Sequence, residues 1–140
     1  MSYLLDTCVI SELVKKSPHR QVVDWVDAQD ESTLYLSALT IGELEKGIVK
    51  LPASARKTRL TTWVRRDLAV RFAGRVVPID VRVASRWGSI TGESERRGSP
   101  LPVVDSLIAT TALVHDLQMV TRNTEDFVRC GVVCVNPWDE

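Results

Sequence analysis

The sequence predicts an α/β fold in which a parallel sheet of about five strands lies between two layers of helices. Short apolar runs typical of buried strands recur along the chain, and stretches with helical periodicity separate them. Parallel strands need such crossover helices, and helices on both faces allow the strands to be apolar throughout. The length of 140 residues, 44% of them hydrophobic, suits a single domain over residues 1–140.

The first half of the chain supplies two predicted strands and four helices. The opening YLLD is apolar up to its final acid, and TLYLSAL has the same character, so both favour strands. The Thr40-x-x-Glu43 spacing matches a capping box at the start of a helix. The predicted order is strand 3–6, helix 7–16, helix 18–29, strand 33–39, a helix from residue 40, and a long basic helix 54–72.

The second half of the chain continues the alternation. Asp80 is placed to cap a helix, and the Gly- and Pro-rich RRGSPLP is the clearest loop. Asp105 is expected to begin the next helix, and NTEDF forms a turn or a single helical turn. The predicted order is strand 75–80, helix 81–97, helix 105–115, strand 117–121, the NTEDF turn and strand 132–135.

Composition excludes several classes of protein. The three cysteines, Cys8, Cys130 and Cys134, have neither an even count nor metal-ligand spacing, which argues against a disulfide framework and a zinc site. No apolar run approaches the ~20 residues that cross a bilayer. The N-terminus lacks the basic region of a signal peptide, so we expect a cytoplasmic protein.

Charge is distributed unevenly although the net charge is zero. Residues 46–75 contain nine basic side chains and one acidic side chain, whereas the rest of the chain contains nine basic and 17 acidic side chains. A positive strip of this kind can follow a phosphate backbone. It can also be a solvated helix face, or a surface that pairs with an acidic protein partner.

Four acidic residues lie where predicted strands end or predicted helices begin. Carboxyl ends of parallel strands share one edge of the sheet, and ligands bind there. Two unit charges ~4 Å apart repel by ~4 kcal/mol at an effective dielectric of 20, so converging carboxylates need a cation. Mg²⁺ and Mn²⁺ prefer oxygen ligands and activate bound water, which predicts a metal-dependent phosphoryl-transfer site. The four are Asp6 in LLDTCVISEL, Glu43 in LTIGELEKG, Asp105 in PVVDSLIATTA and Asp126 in VTRNTEDF.

Each of these acids also has a purely structural interpretation. Asp6 and Asp105 suit helix starts, where a carboxylate caps amide groups and complements the helix dipole. The capping box with Thr40 accounts for Glu43, and Asp126 could be a solvated acid in a polar turn. Only the four together favour a metal site.

Other polar residues near these acids have open roles. Asn123 could orient a metal-bound water or cap the NTEDF turn, and Arg122 could meet a phosphate or pair with a pocket acid. The hydroxyl groups of Thr7 and Thr40 could join the pocket or belong to helix starts. Trp63 lies within the basic helix and could stack on a base.

The four acidic segments, in this order and at these separations, resemble the PIN-domain ribonucleases. The likeness is greatest to the VapC and FitB-type toxins of bacterial type II toxin–antitoxin pairs, and it extends from residue 3 to about residue 137. It rests on an Asp-x-x-x-x-Ser-Glu beginning, a Gly-Glu-Leu-x-x-Gly segment and a Thr-Arg-Asn-x-x-Asp-Phe ending.

The resemblance implies a PIN-like three-layer sandwich with the first strand at the centre of its sheet. It also implies an acidic pocket that binds Mg²⁺ or Mn²⁺ and cleaves single-stranded RNA or tRNA loops. By match to the family motifs, Asp6 and Asp105 are metal ligands, Glu43 is a ligand or a water-positioning acid, and Asp126 is the fourth acid. In parts of the family the fourth acid occupies the position of Asn123, so either residue could supply that ligand here.

The resemblance further implies partners. Family members commonly form homodimers and are held inactive by a cognate antitoxin of the VapB type, whose other end binds operator DNA. Two rival hypotheses are a haloacid-dehalogenase-like phosphatase and a non-catalytic module that only binds the antitoxin. The first needs an acid two residues after Asp6, where this chain has Cys8.

Overall fold

A computed structural model describes residues 1–139, so the last residue of the predicted 1–140 domain lies outside the described part. Within that part, parallel strands form one five-stranded sheet in the order β3-β2-β1-β4-β5, which confirms the predicted class and the central position of the first strand. The strands are β1 (Tyr3–Leu5), β2 (Leu34–Ser37), β3 (Val76–Val77), β4 (Gln118–Val120) and β5 (Cys134–Val135).

Helices connect the strands. A single 3₁₀ turn, Glu31–Thr33, precedes β2, and a π-helical segment, Trp63–Leu68, joins two of the helices. None of the helices within residues 1–139 has the length and apolar character needed to cross a bilayer. The helices are α1 (Thr7–Leu13), α2 (Arg20–Ala28), α3 (Ala38–Val49), α4 (Ala55–Thr62), α5 (Ala69–Arg71), α6 (Val81–Arg96), α7 (Val103–Val114) and α8 (Thr124–Arg129).

Both faces of the sheet are covered, because successive strand residues point to opposite sides. Leu5 and Val120 belong to one apolar cluster, whereas their neighbours Leu4 and Met119 belong to another. Burying a large apolar side chain contributes about 1.5–3 kcal/mol, so these two clusters supply the main stabilisation of the layered fold.

Several predicted boundaries are wrong for identifiable reasons. The second strand ends at Ser37 rather than at residue 39, because the Ser37 side chain caps α3 by accepting a hydrogen bond from Leu39 N (3.1 Å). The long basic helix predicted for residues 54–72 is interrupted by the π-helical segment. The seventh helix begins at Val103, so Asp105 lies in its first turn rather than at its start. The predicted Asp80 cap is present, with Asp80 accepting from Val83 N.

Candidate active site

Asp6 directly follows the central strand and caps α1. Its Oδ1 accepts a hydrogen bond from Thr7 N (2.8 Å), and its Oδ2 accepts one from the Thr121 hydroxyl (2.8 Å). The thiol of Cys8 lies 3.6 Å from the same Oδ2. Asp6 is only 7% exposed, and among residues 1–139 no basic side chain forms an ion pair with it.

Electrostatics disfavour the charged form of this buried acid. Burial raises the pKa of Asp6, the hydrogen bonds from Thr121, Thr7 and Cys8 offset part of that rise, and the negative charge of Glu43 adds to it. Asp6 is therefore both the helix cap that the sequence allows and a buried carboxylate whose charge lacks a counterion.

Glu43 and the two threonines near it form the second part of the site. Thr7 donates a hydrogen bond from its hydroxyl to Glu43 Oε1 (2.5 Å), and that hydroxyl lies 3.3 Å from Thr40 Oγ1. The predicted capping box is wrong, because Ser37 caps α3 and the Thr40 hydroxyl faces Thr7. Glu43 is thus held beside the residue that follows Asp6.

The pKa of Asp105 is affected by the other three acids of the predicted site. Burial raises the pKa of Asp105 to about 6, with further upward contributions from the negative charges of Asp6, Glu43 and Asp126. Charges interact in this way only at short range. The contacts agree with this, because Thr7 meets both Asp6 and Glu43, Thr121 and Asn123 connect Asp6 to Asp126, and Val104 beside Asp105 shares a groove with Glu43. The four sequence-predicted acids therefore lie in one region at the carboxyl edge of the sheet.

Asp126 differs from the other three acids. It lies in the first turn of α8, its side chain is 27% exposed, and its carboxylate is 3.6 Å from the Arg129 guanidinium. The Asn123 side-chain amide donates to Asp126 Oδ2 (3.3 Å). Arg129 therefore offsets part of the charge of Asp126, and Asn123 contacts the fourth acid rather than capping α8 with its side chain.

The donor set suits a hard divalent cation, although its arrangement is not that of a bound ion. All four acids offer carboxylate oxygens, which Mg²⁺ and Mn²⁺ prefer. Burial and the charge of Asp6 raise the pKa of the Cys8 thiol to about 11, so Cys8 is a neutral thiol here, and sulfur is a softer donor than Mg²⁺ and Mn²⁺ prefer. Within residues 1–139, no three His, Cys, Asp or Glu side chains are arranged to hold a metal ion as they stand. Glu43 is engaged by the Thr7 hydroxyl in this arrangement.

Thr121 is a site residue that the sequence analysis missed. It is fully buried, donates to Asp6 Oδ2 and accepts a hydrogen bond from Asn123 N (3.0 Å). A signal was available, since Thr121 follows β4 as Asp6 follows β1, and Leu5 pairs with Val120 in the sheet. A hydroxyl in that register lies beside the strand-end carboxylate.

Arg122 and Trp63 contact other parts of the protein than the roles considered for them, a phosphate or pocket acid for Arg122 and a base for Trp63. The Arg122 guanidinium lies over the Trp138 ring, 4.5 Å from its centroid, and it helps to lower the pKa of the buried Glu12. Trp63 packs against the apolar cluster that contains Leu5, and it lines a cleft that Thr7 and Glu43 also line.

Comparison with known proteins agrees with this fold. The model of the PIN domain matches residues 3–132. The chain is 38% identical to "VapC ribonuclease Y4jK" of Sinorhizobium fredii over 97% of each chain, and 36% identical to "Toxin FitB" of Neisseria gonorrhoeae over 98% of this chain and 99% of that one. A solved structure of FitAB bound to the IR36 DNA fragment superposes with a TM-score of 0.90 at 34% identity, covering 97% of this chain and 95% of that one.

These matches extend over nearly the whole chain, and both the identity and the superposition are well above the level that would indicate only a shared fold. Ribonucleases of the matched family generally depend on divalent metal ions, which is consistent with the all-oxygen donor set. The chain belongs to the PIN-domain family.

Proposed function

We propose that this protein is the toxin of a type II toxin–antitoxin pair and acts as a Mg²⁺-dependent endoribonuclease, with Mn²⁺ able to replace Mg²⁺. The observation that carries the proposal is the convergence of Asp6, Glu43, Asp105 and Asp126, three of which raise the pKa of the fourth. The names of the relatives, a VapC ribonuclease and a toxin, support the same activity.

The proposed roles follow from how each acid is held. Asp6 and Asp105 are assigned as metal ligands, Glu43 as a ligand or water-positioning acid, and Asp126 as the fourth, weaker ligand. A bound divalent ion would activate water and neutralise charge on the scissile phosphodiester. Thr121 and Thr7 N–H fix the two oxygens of Asp6, so the carboxylate is oriented before an ion arrives.

The proposal includes partners and location. A cognate antitoxin of the VapB type neutralises the toxin, the toxin forms a homodimer, and operator DNA is contacted only through the antitoxin. The solved structure of FitAB bound to the IR36 DNA fragment supports the part of this proposal in which a toxin–antitoxin complex meets DNA. We further propose that residues 1–140 form one domain and that the protein acts in the cytoplasm.

The test is cleavage of single-stranded RNA by the purified protein with Mg²⁺ or Mn²⁺ and with EDTA. We expect cutting that EDTA abolishes and that Asp6→Asn and Asp105→Ala each eliminate, with the far-UV circular dichroism of the native fold retained. Glu95→Gln, which removes an exposed charge on α6, is the matched control and should cut normally. Full cleavage by the Asp6→Asn, Asp105→Ala double variant would overturn the assignment.

A second candidate function is a non-catalytic module that only binds the antitoxin. The observation favouring it is that no three metal-binding side chains in residues 1–139 stand ready to hold an ion, while Asp126 is already paired with Arg129. Calorimetric titration with Mn²⁺ separates the two functions. Saturable binding that Asp6→Asn weakens supports the nuclease, and absence of binding supports the module.

A further inference from the structure

We propose that one face of α3, lined by Lys46 and Lys50, binds the phosphate backbone of single-stranded RNA and leads it to Glu43 and Asp105. This inference rests on the proposed ribonuclease function and assigns the substrate path for it. It moves that path away from the basic helix at residues 54–72, which the sequence had suggested.

The proposed path is a groove continuous with the acidic site. Its volume is about 370 Å³, which is within the range of small-molecule binding clefts. Val104, the neighbour of Asp105, lines the opposite wall, so the groove joins α3 to the start of α7. The other residues that line it are Leu39, Gly42, Glu43, Lys46 and Gly47 of α3, and Lys50, which caps the end of that helix.

The lysines of this face are available to a ligand. Lys46 and Lys50 are exposed, and within residues 1–139 neither side chain forms a hydrogen bond or ion pair. The rise of the helix separates them by about 6 Å along its axis, a distance on the scale of one nucleotide in an extended strand. Lys46 and Lys50 are two unpaired cations that lead to the proposed metal-binding pocket. They can bind the phosphates of an RNA strand while one of its phosphodiester groups reaches that pocket.

The basic helix at residues 54–72 contrasts with this face, because much of its charge is already used within the protein. Arg65 pairs with Glu45 (3.1 Å), and Arg71 pairs with Glu31 (3.0 Å). Lys57 donates from Nζ to the carbonyl oxygen of Leu51 (2.9 Å). These side chains would have to leave partners on the protein before they could bind phosphate, whereas the exposed Arg56 and Arg59 of the same segment have no side-chain partner among residues 1–139.

Two glycines lie on the same face as these lysines. Gly42 and Gly47 are inside α3, where glycine is among the least favourable residues. A Cβ atom at either position would meet no atom of the protein within 4 Å, and the same is true of Gly88 and Gly92 in α6, so the open space by itself does not mark a binding surface. Glycine at such a position leaves the helix surface bare and allows another backbone to approach closely.

The first test measures RNA binding in EDTA, so that the strand stays uncut. Anisotropy of a labelled single-stranded RNA is titrated at several salt concentrations with wild type and with the Lys46→Gln, Lys50→Gln double variant. The slope of log K against log salt is negative, and each lost phosphate contact on a single strand reduces its magnitude by about 0.7, so we expect the magnitude to fall by about 1.4. The matched control is Arg82→Gln, Arg86→Gln, which removes the same charge from exposed positions on α6 and should leave the slope unchanged.

The second test uses Gly42→Ala, for which the proposal predicts effects of opposite sign. Alanine in the open interior of a helix should raise Tm by roughly 3 °C. The added methyl group should nevertheless weaken RNA binding about tenfold, because it occupies the approach surface. A variant that is more stable and binds RNA as tightly as wild type would contradict the proposal.

The remaining outcomes separate this inference from the ribonuclease proposal. An unchanged salt slope in the lysine double variant overturns the RNA path. If that variant instead shifts the monomer–dimer equilibrium in sedimentation, the face is a contact between copies of this chain. Wild type that binds RNA with the expected lysine dependence and leaves it uncut with Mn²⁺ would sustain the RNA path while the ribonuclease proposal fails.

Discussion

The two ends of α1 carry buried carboxylates that are compensated in different ways. Asp6 at the first end is 7% exposed, and Glu12 in the last turn is 4% exposed. Glu12 accepts hydrogen bonds from His19 N (3.0 Å) and from Lys15 Nζ (3.0 Å). Burial alone would raise the pKa of Glu12, but these two donors and the charges of Lys15 and Arg122 lower it overall.

The contrast teaches that burial alone does not mark a functional acid. Glu12 has a cation and a backbone donor, so its charge is stabilised within the fold and it fastens the connection from α1 to α2. Asp6 has neutral donors only, and Glu43 repels it. A buried charge without a counterion is costly, and we interpret that unrelieved cost at Asp6 as the sign of a missing external cation.

The largest expected effect, on RNA cleavage, comes from replacing the carboxylate by an amide at the first end of α1. The same replacement at the other end is the comparison. Asp6→Asn should reduce RNA cleavage by more than about 100-fold, since even supporting groups around a metal are worth 10–100-fold. Its stability should stay equal or rise, because asparagine also caps helices and carries no buried charge. Glu12→Gln should cut RNA normally. Rates and urea midpoints of the two variants check this, and equal activities for both would erase the contrast.

Removal of the Glu12 side chain should affect stability and leave chemistry intact. Glu12→Ala deprives His19 N of its acceptor, and an unsatisfied buried donor costs ~1–3 kcal/mol, so we expect the free energy of unfolding to fall by about 2 kcal/mol. Urea denaturation measures this change. Cleavage per folded molecule should match wild type, and a specific loss of activity would place Glu12 in the site.

Two substitutions of similar size at Thr121 separate the contribution of its hydroxyl group from that of its methyl group. Thr121→Val removes the donor to Asp6 and should raise the Mn²⁺ concentration for half-maximal cleavage about tenfold. Thr121→Ser keeps the hydroxyl group and should restore the wild-type requirement. Failure of serine to restore it would mean that the methyl group, and not the hydrogen bond to Asp6, is what matters.

The smallest expected effect is a pH dependence of stability at Asp105. Because the pKa of Asp105 is about 6 in the folded protein against the usual 3.8, folding favours its protonated form. The stability contributed by that proton is present below pH 4 and is lost as pH rises through 6. Asp105→Asn should therefore gain about 1 kcal/mol over wild type at pH 8, after allowance for solvent screening of this half-buried group, and little at pH 4. Thermal melts in EDTA measure the difference, and a larger gain at pH 4 would contradict it.

Much of the fold could be predicted because its determinants are local. Alternating apolar runs and helical periods identified the five strands and the covering of both faces, as the separate burial of Leu4 and Leu5 illustrates. Boundaries were less accurate, since the apolar run continues through Leu39 whereas the side-chain cap of Ser37 begins the helix at Ala38. The π-helical segment at Trp63–Leu68 has no recognisable local signal that we can identify.

The site was harder to predict than the fold because its hydrogen bonds join distant residues. Thr40-x-x-Glu43 matches a capping box, but Thr7, 33 residues from Thr40, meets both side chains instead. The bond from Thr121 to Asp6 spans 115 residues, so only the register of the sheet could indicate it. The sequence showed which acids lie at strand ends. It did not show which of them have a basic partner that stabilises the charge, as Glu12 has and Asp6 lacks.

The most direct test of the account is anomalous scattering from crystals of the wild-type protein soaked in Mn²⁺. We expect a peak at the carboxyl edge of the sheet in contact with Asp6 and Asp105, with Glu43 turned from Thr7 toward the ion, and no peak in Asp6→Asn crystals. A saturating soak that leaves this edge without manganese, or that places the ion away from Asp6 and Asp105, would contradict the claim that these acids share a cation.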